Sequence, residues 1–267
     1  MNDEHIPQYR ELLLGLVPPS GQTIGNKALR TAWIQRSRDA GLPEPSEDDY
    51  WRVRNLLISE GKIMRGTGMG GSVHLLESKT TPVAEIQLSD DYPDEVSLYE
   101  PFQKTISDSY TKDYVIEEFV CDITAFQGKR NTGGKWTRPD VTLIAVRMYP
   151  FIPGKTLEVV TFEIKPLGGY DVDGVFETAA HSAFANRSYL AIHSPTSPSD
   201  TEAWDRILSE CERFGVGLIL FADPKEWDSF DIRIEAKSKT PDPADTSLFI
   251  KRQMQPVHQN KLERMVR

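Results

Sequence analysis

Three charged residues lie at the ends of predicted β-strands, and carboxylates and lysines of this kind bind metal ions and activate water in enzymes. Asp140 begins one apolar run of the chain, and Glu163 and Lys165 end the next one. The two runs, 141–146 and 157–162, are rich in β-branched residues, which favour strands. Two carboxylates and one ammonium therefore belong to one pair of strands, a combination suited to metal-assisted hydrolysis.

The connection between the two strands is predicted from its turn residues. Three residues break the chain there: Pro150, Pro153 and Gly154. They predict an antiparallel hairpin centred near residue 152, in which the partner of Asp140 lies near position 164. Because side chains alternate along a strand, Glu163 and Lys165 project from one face and Ile164 from the other. We therefore expect Asp140 to meet the end of the neighbouring strand that carries Glu163 and Lys165.

The overall composition is that of a globular protein whose charge is unevenly distributed. With 39% hydrophobic and 27% charged residues, the 267 residues suffice for one large domain or two modest ones. The 11 acidic and two basic residues of segment 85–123 account for the whole net charge of −9. This acidic segment is a candidate docking face for a protein partner. The neutral remainder argues against strong non-specific binding to DNA.

Targeting and cysteine patterns indicate a cytoplasmic protein without a membrane partner. The sequence has no apolar run of about 18 residues, the length that a membrane-spanning helix needs. It begins Met-Asn-Asp-Glu, which has neither the basic start nor the apolar stretch of a secretory signal. Cys121 and Cys211 are far apart, so neither a zinc ribbon nor a disulfide framework is expected.

The N-terminal residues 1–77 predict a small domain of their own. Three helical patterns come first, at residues 8–17, 26–38 and 49–60. Ser46 and Asp49 have the spacing of a capping box for the third helix. Residues 62–76 follow as a basic strand, a glycine turn and a second strand. This order resembles a winged helix-turn-helix domain.

That resemblance implies binding of nucleic acid through the third helix in a major groove. Four basic residues would then meet phosphates or bases: Arg52, Arg54, Lys62 and Arg65. The alternative is a packing or dimerisation module whose arginines face solvent. A nucleotide-binding loop is not expected at the glycine run 66–71, because no Lys-Ser/Thr follows it and no helix begins there.

The rest of the chain divides into a linker at 78–96, a main domain at 97–235 and a C-terminal extension at 236–267. From residue 97 the patterns predict a helix, three strands, a helix, a strand, a helix and a strand. The extension is either a docking helix or a mobile basic tail. A basic loop precedes Asp140, and its cations suit phosphate contacts: Lys129, Arg130, Lys135 and Arg138. The alternative for that loop is a solvated hairpin tip.

Pro139-Asp140 and Glu163-Ile164-Lys165, set in this element order, resemble the PD-(D/E)xK nuclease superfamily, which includes many restriction endonucleases. The resemblance spans roughly 97–222. It implies an α/β fold with a restriction-endonuclease-like αβββαβ core and a mixed central sheet, preceded by a small winged-helix domain. It also implies that Asp140 and Glu163 hold Mg²⁺, or Mn²⁺ as a substitute, and that Lys165 is the catalytic lysine. 

Further site residues follow from the same resemblance. The helix after the lysine offers Glu177 as a catalytic residue, with His181 one turn on as an additional candidate. The helix before the first strand offers an acid, for which Glu100 is the candidate. His181 equally fits a core histidine, because no His/Cys cluster in the sequence supports a transition-metal site.

The activity that the resemblance implies is metal-dependent hydrolysis of phosphodiester bonds in double-stranded DNA, in restriction or phage defence. A homodimer is expected, because cutting both strands takes two active sites. One alternative is a DNA-binding regulator or complex subunit whose nuclease-like domain is not catalytic. Another is cleavage of RNA or structured DNA by the same site. A third is an inert set of exposed ion pairs, worth less than about 1 kcal/mol each.

Overall fold

The computed structural model describes residues 5–18, 22–65, 72–75, 92, 94–127, 138–194 and 201–267. The chain divides into two compact units. The first comprises Met1–Ala84 and Trp227–Asp231, and the second comprises Glu85–Glu226 and Ile232–Arg267. None of the helices in the described ranges is both long and apolar enough to cross a membrane. The finer domain boundaries at residues 77, 96 and 235 stay predictions.

The first unit combines three helices with a small antiparallel sheet. The helices are α1 (Ile6–Leu14), α2 (Asn26–Asp39) and α3 (Glu47–Ser59). The sheet has the strand order β1 (Ile24–Gly25), β3 (Ser72–Leu75) and β2 (Ile63–Arg65). The predicted capping box is confirmed, because the Asp49 N–H donates to the Ser46 hydroxyl at 3.2 Å and the Ser46 N–H donates to the Asp49 carboxylate at 2.9 Å. The sequence pattern does not predict β1, since two residues carry no periodicity.

Most of a mixed six-stranded sheet lies in the second unit, and this sheet confirms the α/β class and the mixed central sheet. Its strands in spatial order are β4 (Glu118–Ile123), β5 (Val141–Tyr149), β6 (Ile152–Lys165), β7 (Arg187–His193), β8 (Gly217–Phe221) and β9 (Phe230–Ile234). Strands β4 to β6 are antiparallel neighbours, whereas β6 to β8 are parallel. The parallel pairs need crossover connections, which two helices supply: α6 (Val172–Ala180) and α7 (Glu202–Phe214).

Helices cover both faces of this sheet. The α6 and α7 side chains Val175, Trp204 and Ile207 pack on Leu190 of β7 and Leu218 of β8. On the opposite face lies α4 (Glu95–Thr105), followed by a π-helical turn (Ile106–Tyr110) and the short helix α5 (Thr111–Asp113). Aromatic rings make the contacts of α4 with the sheet, with Phe102 5.5 Å from Phe162 and 5.3 Å from Phe221 between ring centroids. The long apolar runs of the central strands are explained by this burial on two faces.

The C-terminal extension forms two helices, α8 (Pro243–Gln253) and α9 (Pro256–Val266), where the sequence left a docking helix and a mobile tail open. Phe249, Met254 and Leu262 bury their side chains against Val120 of β4 and Ile144 of β5. The extension is therefore part of the second unit's core.

One buried carboxylate joins the extension to the sheet. Asp122 of β4 is 2% exposed and accepts hydrogen bonds from the Gln255 backbone N–H and side-chain amide, both at 2.9 Å. Gln255 is the N-cap residue of α9, so Asp122 satisfies a helix start that has no side-chain cap of its own. His258 Nδ1 lies 3.0 Å from the same carboxylate.

We predict that Asp122→Ala lowers the free energy of unfolding by about 2 kcal/mol, because it leaves the Gln255 donors without their acceptor. Urea denaturation followed by circular dichroism measures the change. Asp108→Ala is the control, since Asp108 is exposed and its ion pair with Lys104 spans a single helical turn. Equal and small effects of the two substitutions would contradict the role given to Asp122.

Candidate active site

The hairpin of β5 and β6 positions the charged residues. Its last pair on the side of the candidate site is Val141 with Phe162, and Asp140 precedes β5 by one residue. The Asp140 N–H donates to the Phe162 carbonyl oxygen at 3.1 Å, so Asp140 lies at the end of β6 that carries Glu163 and Lys165. Glu163 and Lys165 project from one face of β6 because they are two residues apart.

Backbone hydrogen bonds hold Asp140 at the start of β5. Its carbonyl oxygen accepts from the N–H groups of Thr124 and Ala125, and its Oδ2 accepts from the Ile164 N–H at 2.7 Å. The residue is only 6% exposed. Burial raises the pKa of its carboxyl from 3.8 to about 7 against the opposing effect of the Ile164 N–H, and the nearby Glu95 raises it further.

Lys165 lies between three carboxylates at the end of β6. Its ammonium is 2.7 Å from Glu163 Oε1, 3.1 Å from Glu177 Oε2 and 3.8 Å from Glu95 Oε2. Burial favours the neutral amine, but these carboxylates outweigh it and raise the pKa of Lys165 above its usual range. The ammonium form is therefore the one that the site holds at neutral pH.

Glu163 is the most enclosed acid of the group, at 3% exposure. Burial raises the pKa of its carboxyl well above the usual value, and the neighbouring Asp140 adds to the shift while Lys165 opposes it. Its Oε1 accepts from Lys165, but its buried Oε2 has no hydrogen-bond partner among the described residues. An acceptor of this kind is available to a cation.

The structure brings Glu95 to this group, a residue that the sequence interpretation missed. Glu95 stands in the first turn of α4 and accepts a hydrogen bond from the Tyr99 hydroxyl at 2.5 Å. Burial raises the pKa of this hydroxyl, and the negative charge of the neighbouring Asp140 adds to the shift. The signal was present in the sequence, because Glu95 precedes the buried residues Leu98 and Phe102 by one and two helical turns.

Glu100, the acid proposed from the sequence for this helix, does not join the group. It is exposed and lines a separate cleft of about 640 Å³ together with Lys104 and Lys225. Five residues along a helix turn the side chain well away from the direction of Glu95. The sequence predicts this helix correctly. The choice of Glu100 did not take into account which side of the helix each acid faces.

Helix α6 carries Glu177, and His181 follows in the turn at its end. Glu177 pairs with Lys165, and His181 is fully buried with its Nε2 3.9 Å from Glu163 Oε2. Burial lowers the pKa of the His181 imidazole from 6.5 to about 3, and the charge of Lys165 adds to this effect. The imidazole is therefore neutral at neutral pH.

The residues at this site fit a hard divalent cation. In the ranges that the structure describes, no group of three or more His, Cys, Asp or Glu side chains is arranged as a complete ligand set. Mg²⁺ needs only one or two protein carboxylates, because it keeps several water molecules. Asp140 and Glu163 would supply these carboxylates, and the unpartnered Glu163 Oε2 is the observation that favours them. A cation there would also relieve the repulsion between the two acids.

The predicted nucleic-acid contacts have different outcomes in the first unit. Arg54 is fully buried, donates to the Asn55 side chain and lies over the Trp51 ring at 5.4 Å. This placement corrects the prediction for Arg54, since a guanidinium in the interior cannot meet a phosphate. Arg52 and Lys62 are exposed, as a DNA-binding surface requires, and Lys62 lies 3.3 Å from Glu60.

Most of the remaining basic residues predicted to contact DNA lie outside the described residues. The side chain of Arg65 and the residues Lys129, Arg130 and Lys135 lie outside the described part of the structure. Arg138 is described, is half-buried and donates to the Gln127 carbonyl oxygen at 3.3 Å. It stands two residues before Asp140 in the sequence.

We predict that Asp140→Asn raises stability at high pH in the absence of metal. The folded state keeps the Asp140 proton up to about pH 7, whereas the unfolded chain loses it near 3.8. Wild-type stability should therefore fall as pH rises from about 4 to 8, and the variant should be more stable at pH 8 by about 1 kcal/mol or more. Urea denaturation in chelator across this pH range measures both. Asp108→Asn should follow the wild-type slope, and an Asp140→Asn variant less stable than wild type at pH 8 would refute the prediction.

Comparisons with known proteins identify no relative of this chain. No protein-family model, curated protein or solved structure matches the chain. A function can therefore be argued only from the residues themselves. The residues with the most evidence for a functional role are Asp140, Glu163 and Lys165, at the end of β6.

Proposed function

We propose that the protein is a metal-dependent endonuclease that hydrolyses phosphodiester bonds in DNA. The observation that carries this proposal is a half-buried ammonium, Lys165, within 3.1 Å of two carboxylates and at the strand end where the Asp140 carboxylate accepts from the Ile164 N–H. Burying so many ionisable groups together is costly for a fold and is typical of functional sites. The element order from α4 to β8 supports a restriction-endonuclease-like αβββαβ core.

The chemistry of such a site divides between the cation and the chain. When bound, Mg²⁺ or Mn²⁺ supplies a Lewis acid and lowers the pKa of a coordinated water. Asp140 and Glu163 would hold the cation, and the Ile164 N–H fixes the direction of the Asp140 carboxylate. Lys165, kept protonated by its neighbours, stabilises the negative charge that develops on the phosphate. Glu177 positions that ammonium.

The first unit is the proposed DNA-binding module, a winged helix-turn-helix domain. Its support is the sequence of three helices with a β2–β3 hairpin and the exposure of Arg52 and Lys62. Its target is double-stranded DNA, and restriction or phage defence in the cytoplasm is the proposed setting. A homodimer would place two active sites on one duplex, and the acidic segment 85–123 is the proposed surface for a protein partner.

Cleavage of plasmid DNA in Mg²⁺ or Mn²⁺ tests the proposal directly. We expect Asp140→Asn and Lys165→Met to lower the cleavage rate at least about 100-fold, because each removes charge from the reacting centre. Lys155→Met is the matched control, since Lys155 lies on the same strand and is exposed near the opposite end. Chelation should abolish cleavage. Activity that survives both substitutions would refute the assignment, and competition by RNA or branched DNA would identify another substrate.

The contrast between Arg52 and Arg54 gives a second test. Arg52→Ala should weaken DNA binding and reduce the magnitude of its salt slope by about 1, because one phosphate contact is lost. Arg54→Ala should instead lower the unfolding free energy by more than about 1 kcal/mol, because the side chain is inside the unit. Fluorescence anisotropy and urea denaturation measure the two effects. The reverse pattern would contradict the proposed DNA-binding surface.

A second candidate is a DNA-binding regulator or complex subunit whose nuclease-like unit does not cleave. It is favoured by the lack of a group of three metal-ligating side chains in the described ranges. Titration calorimetry with Mg²⁺ and Mn²⁺ separates the two candidates. DNA binding without any metal binding would favour the regulator.

A further inference from the structure

The β5–β6 hairpin extends beyond its neighbours in the sheet. Strand β4 begins at Glu118, which pairs with Val146 of β5, and β7 pairs with β6 only from Val160 onwards. The segment between Val146 and Val160 is therefore a two-stranded ribbon, which ends in a turn at residues 150–151. The strands on either side of the hairpin do not cover this ribbon.

Large apolar side chains are exposed at the tip of the ribbon. Phe151 is 95% exposed and Met148 is 74% exposed, and Tyr149 and Ile152 beside them are exposed as well. Single exposed apolar residues are ordinary on a protein surface, whereas a contiguous group marks an interaction site. The tip is therefore a candidate contact surface.

Helix α9 brings basic side chains to the base of this ribbon. Its Leu262 belongs to the same buried cluster as Val146 of β5, so the helix packs on the sheet where the ribbon begins. Lys261 and Arg264 of α9 are exposed. Segment 236–267 as a whole has seven basic and three acidic residues. A local excess of positive charge thus lies beside the tip, in a chain whose net charge is −9.

The ribbon itself adds no uncompensated negative charge. Its acid, Glu158, lies 2.9 Å from the Arg147 guanidinium and 3.0 Å from that of Arg187. The two cations balance this carboxylate, so it does not repel an anionic ligand from the tip.

The size and chemistry of the tip favour duplex DNA over a protein partner. A stable protein interface takes about 20–30 residues from each side, many more than a two-residue turn and its flanking side chains supply. Proteins that kink DNA insert side chains such as Phe, Ile or Met between base steps, while their Lys and Arg residues contact the phosphates. The tip and α9 offer both kinds of side chain.

We propose that the hairpin tip inserts Phe151 between base pairs of duplex DNA and kinks the duplex, while Lys261 and Arg264 contact its phosphates. This inference rests on the proposed function in that the ligand is DNA, and it gives the second unit a DNA contact outside the candidate active site. Strand β6 has 14 residues, so the tip is on the order of 40 Å from Lys165 at its other end. The kink is therefore separate from the residues proposed to cleave.

Energy transfer between dyes at the two ends of a 30-base-pair duplex, on the order of 100 Å long, tests the inference. The full-length protein is used in chelator, so that no cleavage occurs. We expect the wild type to bend the duplex by about 20–90°, and Phe151→Ala to lose the bend and bind about tenfold more weakly. Val257→Ala is the matched control, because Val257 is also an exposed apolar residue of the second unit. Urea denaturation checks that both variants are folded.

The outcomes separate this inference from the proposed function. Binding without a bend, or a bend that persists in Phe151→Ala, would overturn the inference and leave the result of the plasmid cleavage test unaffected. A protein that never cleaves DNA but bends it through Phe151 would refute the nuclease and support the inference. Phe151-dependent sedimentation with phosphatidylserine vesicles, without a bend in the DNA, would overturn the inference in favour of a lipid surface.

The phosphate contacts have their own measurement. The double substitution Lys261→Ala and Arg264→Ala should reduce the magnitude of the salt slope of DNA binding by about 2, because two phosphate contacts are lost. The bend should persist, since Phe151 is still present. An unchanged salt slope would overturn the contacts assigned to α9.

Discussion

The central constraint on the second unit is that several carboxyl groups surround one ammonium, that of Lys165, in a largely buried site. Lys165 attracts Glu163, Glu177 and Glu95, while Glu163 and Asp140 repel each other. One positive charge cannot balance these acids, so burial and repulsion raise the pKa values of Asp140 and Glu163. The arrangement is short of positive charge, and this shortage is the physical argument for a bound cation.

Packed strands and helices of the second unit hold these charged groups in position. Strand β6 stands at the junction between the antiparallel and the parallel halves of the sheet, so its end is reached from both sides. The antiparallel neighbour brings Asp140, and the crossover that follows β6 brings Glu177 and His181. Helix α4 contributes Glu95 and Tyr99 from its first turn. Residues from four elements thus meet at the end of one strand, and aromatic and aliphatic packing fixes each element.

The two units divide recognition from chemistry in the proposed function. The exposed cations Arg52 and Lys62 belong to the first unit, and the buried ionisable groups belong to the second. An exposed cation acts on a phosphate through water-screened attraction, while a buried carboxylate acts on a cation in a low dielectric. Arg54 shows that residue type alone does not assign a side chain to either role, because it is packed against Trp51 inside its unit.

Several features could be derived from the amino-acid sequence because they depend on local patterns. The β5–β6 hairpin, the alternation that puts Glu163 and Lys165 on one face, the capping box at Ser46 and the element order from α4 to β8 are of this kind. Each follows from turn residues, a period of two or a short-range hydrogen bond. The short strand β1 and strand β9 were not found, since pairing with a neighbour defines them.

Tertiary structure alone decided which charged residues meet. The hydrogen bonds of Asp140 with the Phe162 carbonyl oxygen and the Ile164 N–H bring its carboxyl group to the end of β6 that carries Glu163 and Lys165. The phase of α4 selected Glu95 over Glu100, and packing buried Arg54 while leaving Arg52 outside. The sequence by itself determined the chemical types at the candidate site and the strands that carry them. Their distances, burial and pKa values come from side chains far apart in the chain, which only the packed fold brings within a few ångströms.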